Sequence, residues 1–157
     1  PATRLLIAGA RTDYTPQLMA QVAALPEEQR GRITWVEDFE EAEKPALLAA
    51  CDVLANPSAY ESFGIVFLEA WAVGLPVIGA RVGAIPTIIE AGQDGFLAEH
   101  GDAEAWAHAL LRLLGSPSLR ARMGEAGREK VRARYDWPVV VRRFRETYAR
   151  VLENANG

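Results

Sequence analysis

Two glutamates, Glu61 and Glu69, stand with seven residues between them in the run from Pro57 to Pro76. Between Ile65 and Val73 every residue except Glu69 is apolar. A helix that is apolar nearly all round is expected to be buried, and a buried carboxylate requires a hydrogen-bonding or charged partner. Ser62-Phe63-Gly64-Ile65 would form the first turn of that helix. Its free N–H groups and positive dipole end suit an anion, most naturally a phosphate, and Gly64 lets a ligand approach the backbone. Glu61 can accept hydrogen bonds from hydroxyls over the helix end, and Glu69, about two turns further on, can reach another part of the same ligand. A carboxylate can accept from two vicinal hydroxyls, as on a ribose. One phosphate site flanked by two hydroxyl acceptors suits a sugar nucleotide; carboxylates so far apart do not suit a metal. Plainer readings stand beside these. Glu61 could serve only the helix dipole, Ser62 could be only the N-cap, and Glu69 could satisfy an internal group. Taken singly, Glu61 and Ser62 favour the plainer reading and Glu69 is evenly balanced; together with the turn they favour a ligand.

The elements that would position these residues alternate along the chain. Short apolar runs at Arg4–Ala8, Ile33–Val36, Asp52–Ala55, Pro76–Gly79 and Phe96–Ala98 read as strands. Helical spacing covers Pro16 to Leu25 and Pro45 to Ala50, then the central apolar helix, which Gly74 and Pro76 bring to an end. Asp102 caps a helix to about Leu114, Ser116-Pro117 opens another to about Arg134, and Asp136 opens a last one to Leu152. Strands alternating with helices mean a parallel sheet covered on both faces. Ligands bind such sheets outside the carboxyl ends of the strands, where the turns at Gly9, Asn56–Gly64 and Gly79–Ala84 fall.

Composition narrows the classes further. The 157 residues fit one domain, half of them hydrophobic, with a net charge of −4 that argues against a nucleic-acid partner. Cys51 is the single cysteine, so no disulfide forms within the chain, and its apolar neighbours mark it as a packing residue. His100 and His108 match no metal-ligand spacing and read as surface residues. With no leader-like or membrane-length apolar run, the expected setting is the cytoplasm, at the inner face of a membrane if the parent protein places it there.

Pro57-Ser58, Glu61-Ser62-Phe63-Gly64, Glu69-Ala70, Gly74-Leu75-Pro76-Val77-Ile78 and the Gly92–Gly95 spacing resemble the family-4 retaining glycosyltransferases. Their GT-B fold sets two Rossmann-like domains across a cleft. The resemblance runs from Arg4 to Trp137 and implies the C-terminal, donor-binding domain of such an enzyme, with residues 1–157 as one domain and a helical segment at 102–153. By this resemblance Glu69 would bind the ribose hydroxyls. Glu61 would hold the catalytic position at hydroxyls of the transferred sugar. Ser62, Phe63, Gly64 and Ile65 would line the diphosphate and sugar, with Gly9 and Phe39 near the nucleoside. No cofactor and no obligatory metal are implied. The chain departs from the family pattern at Arg11, Glu37, Ala84 and Thr87, which leaves base and sugar open.

In the family this domain begins with a strand and helix bearing an arginine and a lysine that grip the diphosphate. This chain starts after them, and neither Lys44 nor Lys130 can be assigned that role. The N-terminal, acceptor-binding lobe is likewise outside it. The expectation is that the fragment alone transfers no sugar. In the strand order 3-2-1-4-5-6 the absent strand is central. Its loss would leave the Arg4 and Ile33 strands on one side of an empty slot and the other three on the far side. Such edges invite another chain, through strand exchange in a homo-oligomer or a remainder supplied by the parent. The alternative function is a non-catalytic sugar-nucleotide or phosphate-binding module. An epimerase of related architecture fits less well, because no histidine accompanies the glutamates.

Overall fold

A computed structural model describes residues 3–155, with the side chains of residues 3–154. The chain divides between Leu47 and Leu48 into two compact units.

In the first unit, β1 (Leu5–Gly9) and β2 (Ile33–Glu37) pair in parallel, with Leu5 opposite Ile33 and Gly9 opposite Glu37. The crossover between them carries α1 (Thr15–Ala23), with a proline in its first turn, and a one-turn helix α2 (Glu27–Arg30). A 3-10 turn at Glu41–Glu43 then leads into α3 (Lys44–Ala49). Short α2 carries no apolar periodicity, so only its tertiary setting reveals it.

The second unit holds β3 (Leu54–Asn56), β4 (Val77–Ala80) and β5 (Gly95–Ala98), parallel and adjacent in that order. All four β4 residues are buried, as a strand covered on both faces requires. Val77 packs with Phe67, Ala70 and Trp71 of α4 (Ile65–Ala72) and with Ile85 and Ile88 of the short helix α5 (Ile85–Ile88). Ile78 points the other way, to Ala109 and Leu113 of α6 (Ala103–Leu114) and Met123 of α7 (Pro117–Arg134). The alternation is the period-two consequence of the pleat, and it places helices on both faces of this sheet.

Helix ends follow the chemistry that the sequence announces. The Asp102 side chain accepts the Ala105 N–H at 3.0 Å, and Ser116 Oγ accepts the Leu119 N–H at 3.3 Å. After α4, Gly74 adopts φ 79°, with the Gly74 N–H bonded to Trp71 O and the Leu75 N–H to Ala70 O. That pair of bonds is a Schellman closure, which a glycine accommodates without strain. The last helix, α8 (Trp137–Ala155), starts at Asp136, whose Oδ1 accepts the Trp137 N–H at 3.0 Å.

The five strands of the described residues form two sheets, β1-β2 and β3-β4-β5.

Candidate functional site

Asn56 and Ala80 end two neighbouring parallel strands, so the loops that leave them, 57–64 and 81–84, open at one sheet edge. The first loop is tied by its own side chains. Asn56 Oδ1 accepts the Ser58 N–H at 3.2 Å, and Ser58 Oγ donates to Tyr60 O at 2.8 Å. Glu61 Oε1 then accepts the Gly64 N–H at 3.0 Å. Gly83, in the second loop, lies against the Glu61 carbonyl, leaving no room for a Cβ.

Gly64 stands just before α4 with φ 84°, and a Cβ there would lie 2.7 Å from both Ile85 Cδ1 and Phe67 Cδ2. This corrects the expectation for the turn. A left-handed residue cannot belong to a right-handed helix, so Ser62, Phe63 and Gly64 precede α4 instead of forming its first turn. Ser62 is not the cap; the carboxylate of Glu61 takes an N–H of this turn. The plainer reading of Glu61 as a helix-end acceptor is therefore true of this structure. Ser62 and Phe63 are exposed, and the Phe63 ring meets Tyr135 edge-on with centroids 6.0 Å apart.

Glu69 also differs from expectation. It is half-buried, and the dry side of α4 belongs to Phe67, Ala70 and Trp71. Residues four apart share a helix face, so Glu69 shares its face with Ile65, which is 64% exposed. Apolar composition cannot distinguish a face covered by the chain from one left open. Glu69 thus lies on a flank of the helix that the chain covers only in part.

The same edge holds Arg81, which the sequence reading passed over, and His100, which it placed at the surface. Arg81 directly follows β4, and its Nε lies 2.8 Å from Glu99 Oε1 beyond the end of β5. His100 is exposed, with Nδ1 3.2 Å from Pro57 O. The signal for Arg81 was its position: the first residue past a buried strand faces the ligand edge of a parallel sheet.

Gly9 and Phe39 lie in the first unit, at the carboxyl edge of β1-β2. Gly9 ends β1, and its carbonyl accepts the Asp38 N–H at 3.3 Å, next to Phe39. A cavity of about 200 Å³ opens there, lined by Gly9, Thr12, Tyr14, Trp35 and Glu37 among others. Arg11 and Glu37, two of the departures from the family pattern, face each other across the strand ends at 3.7 Å.

Both lysines are engaged in ion pairs. Lys44 pairs with Glu41 at 2.7 Å, and Lys130 is buried among Glu90, Asp94 and the Ile88 carbonyl. Burial, and then the neighbouring Asp52 charge, push the Cys51 thiol up, which keeps it protonated and weakly nucleophilic. Among the described residues no group of three or more His, Cys, Asp or Glu could hold a metal ion, and no helix is long and apolar enough to cross a membrane.

Comparison with known proteins bears on this arrangement. The family model for group 1 glycosyl transferases matches residues 1–130. A D-inositol 3-phosphate glycosyltransferase of Corynebacterium glutamicum is 38% identical over 125 residues, 80% of this chain and 30% of that protein. A phosphatidyl-myo-inositol mannosyltransferase of Mycobacterium leprae is 38% identical over 154 residues, 98% of this chain and 39% of that protein. Among solved structures, the sucrose-phosphate synthase of Thermosynechococcus elongatus superposes with a TM-score of 0.84 at 30% identity, covering 96% of this chain and 39% of the other. Anabaena HepE in complex with UDP superposes with a TM-score of 0.86 at 27% identity, covering 95% of this chain and 41% of the other. The chain thus matches well under half the length of each of these proteins.

Proposed function

Because the chain belongs to the group 1 glycosyltransferases, we propose that it is the donor-binding lobe of a retaining enzyme, one that moves a sugar from a nucleoside diphosphate sugar to an acceptor. The observation that carries this reading is the setting of Glu61 and Glu69. One closes the loop at the amino end of α4, and the other stands on a partly covered flank of the same helix, at the carboxyl edge of a parallel sheet. The ribose hydroxyls go to Glu69 and hydroxyls of the transferred sugar to Glu61. The diphosphate lies at the turn of Ser62, Phe63, Gly64 and Ile65. There the amino end of α4 stabilises the negative charge that develops on the leaving diphosphate. Gly9 and Phe39 take the nucleoside side. The transfer needs no metal.

The partner of this lobe is the remainder of a longer enzyme. Supporting that view, α8 leaves Trp137, Phe144 and Tyr148 at least 60% exposed, and each relative compared above is more than twice as long as the matched segment. A second reading, a binding module without catalysis, draws on the lysines. Both are committed to ion pairs, so neither is available to grip a diphosphate. The chain by itself is expected to transfer no sugar under either reading.

A two-dimensional NMR titration with UDP, GDP and ADP, repeated on Glu69→Ala, tests the proposal. Shifts at residues 63–65 and near Phe39 with one nucleotide, lost in the variant, are the expected result. Binding as weak as about millimolar, or about −4 kcal/mol, would suffice. Equal shifts in wild type and Glu69→Ala would remove Glu69 from the donor site.

A further inference from the structure

Lys130 sits on α7, far along the chain from the glutamates, yet it is the most heavily engaged cation of the second unit. Its ammonium donates to Ile88 O at 2.9 Å, lies 3.1 Å from Glu90 Oε1 and pairs with Asp94 Oδ2. It is 9% exposed and Asp94 is 1% exposed, so this pair is closed off from water. Burial raises the Asp94 carboxyl, and the Lys130 ammonium opposes that rise. Asp94 Oδ1 also accepts the Glu90 N–H at 3.0 Å, and Arg134 approaches Glu90 at 3.6 Å.

This network grips α4 through one residue. The Trp71 indole N–H donates to Asp94 O at 2.9 Å, and the Lys130 ammonium stands 5.1 Å from the Trp71 ring centroid. On its remaining side the ring rests against Gly127, where a Cβ would overlap it. Trp71 lies two residues after Glu69 and is fully buried. Phe67 and Ala70 pack the same helix against the core, and the Trp71 clamp adds a directional hydrogen bond that opposes a turn of α4 about its axis. With side chains the helix is about 10–12 Å across, so a turn of about 20° would carry a surface carboxylate about 2 Å. Displacements of that size matter for positioned groups.

From this geometry we infer that Lys130 is a positioning residue, which sets the orientation of Glu69 by locking Trp71 through Asp94. The inference rests on the donor-binding reading only for its consequence; the geometry stands apart from it. Broken ion pairs strand a buried charge, which explains why the clamp uses a satisfied pair and a carbonyl together.

The test uses this chain labelled with ¹³C and ¹⁵N. In Lys130→Met, the Glu69 amide and side-chain carboxyl resonances are expected to shift by more than a linewidth, with the Ala109–Leu113 amides of α6, which pack in the other core cluster, unmoved. Lys130→Arg keeps a cation with several donors and is expected to return Glu69 most of the way. Trp71→Phe keeps a ring but removes the donor to Asp94; it is expected to move the same Glu69 resonances and serves where Lys130→Met does not fold. A folded variant with Glu69 unmoved overturns the proposal. So does one in which the Ala109–Leu113 amides move as far as Glu69, because that would mark general packing. The donor reading fails on a different result, a Glu69→Ala variant whose nucleoside diphosphate affinity is unchanged.

Discussion

The 3.0 Å bond from the Gly64 N–H to the Glu61 carboxylate gives this side chain a structural task beside the chemical one proposed for it. A carboxylate has capacity for more than one donor, so holding the turn does not exhaust it. Loss of an acceptor at a helix start costs about 1 kcal/mol. Glu61→Ala is therefore expected to lower the unfolding free energy read from urea denaturation by about 1 kcal/mol, with a lower midpoint, and Glu61→Gln by less, since its amide oxygen can accept the same bond. A Glu61→Gln midpoint as low as that of Glu61→Ala would show that the N–H bond requires the charge. The motif residues around Glu61 were legible from type and spacing alone. The left-handed Gly64 was not, because part of the crowding that excludes a Cβ there comes from Ile85, twenty-one positions away, beside the nearby Phe67 ring.

Among the elements, α4 and α7 pack closely, and glycines permit it. Gly124 abuts the Gly74 carbonyl and Gly127 abuts the Trp71 ring, with no room for a Cβ at either position. Glycine inside a helix costs about 1 kcal/mol relative to alanine, so propensity alone would favour replacing both. Overpacking costs about 1–3 kcal/mol and occasionally more, which outweighs that gain. Gly127→Ala and Gly124→Ala are expected to lower the denaturation midpoint, Gly124→Ala more so because its obstacle is backbone. A raised midpoint for either variant would mean that the helices separate at little cost. The extent of α7 was readable from Ser116-Pro117 and its helical spacing. Its contact face was not, since nothing in the local pattern distinguishes a glycine that weakens a helix from one that admits a neighbour.

At the scale of the molecule, α8 carries Trp137, Val141, Phe144, Tyr148, Val151 and Leu152 at helical spacing, and each is between 39% and 76% exposed. Residues without cover contribute little to folding, and substitutions at such positions change stability by about 0.5 kcal/mol or less. Phe144→Ser with Tyr148→Ser is expected to leave the melting temperature nearly unchanged while lowering self-association in light scattering. A large fall in melting temperature would mean that the stripe is buried within the chain after all. The sequence by itself determined what short-range physics controls. It settled the strands by their apolar runs, the helix ends at Asp102, Ser116 and Gly74 by their capping chemistry, and the parallel class by the alternation of elements. The expected split between two strands and three came instead from the strand order typical of such folds, not from the residues themselves. Only the tertiary structure decided which faces are covered. It left the flank of Glu69 only partly covered where composition suggested burial, and it paired Arg11 with Glu37. It also drew Lys130 to the Ile88 carbonyl, forty-two residues away in sequence. Cover and charge pairing depend on which distant segments meet, and no local periodicity encodes that.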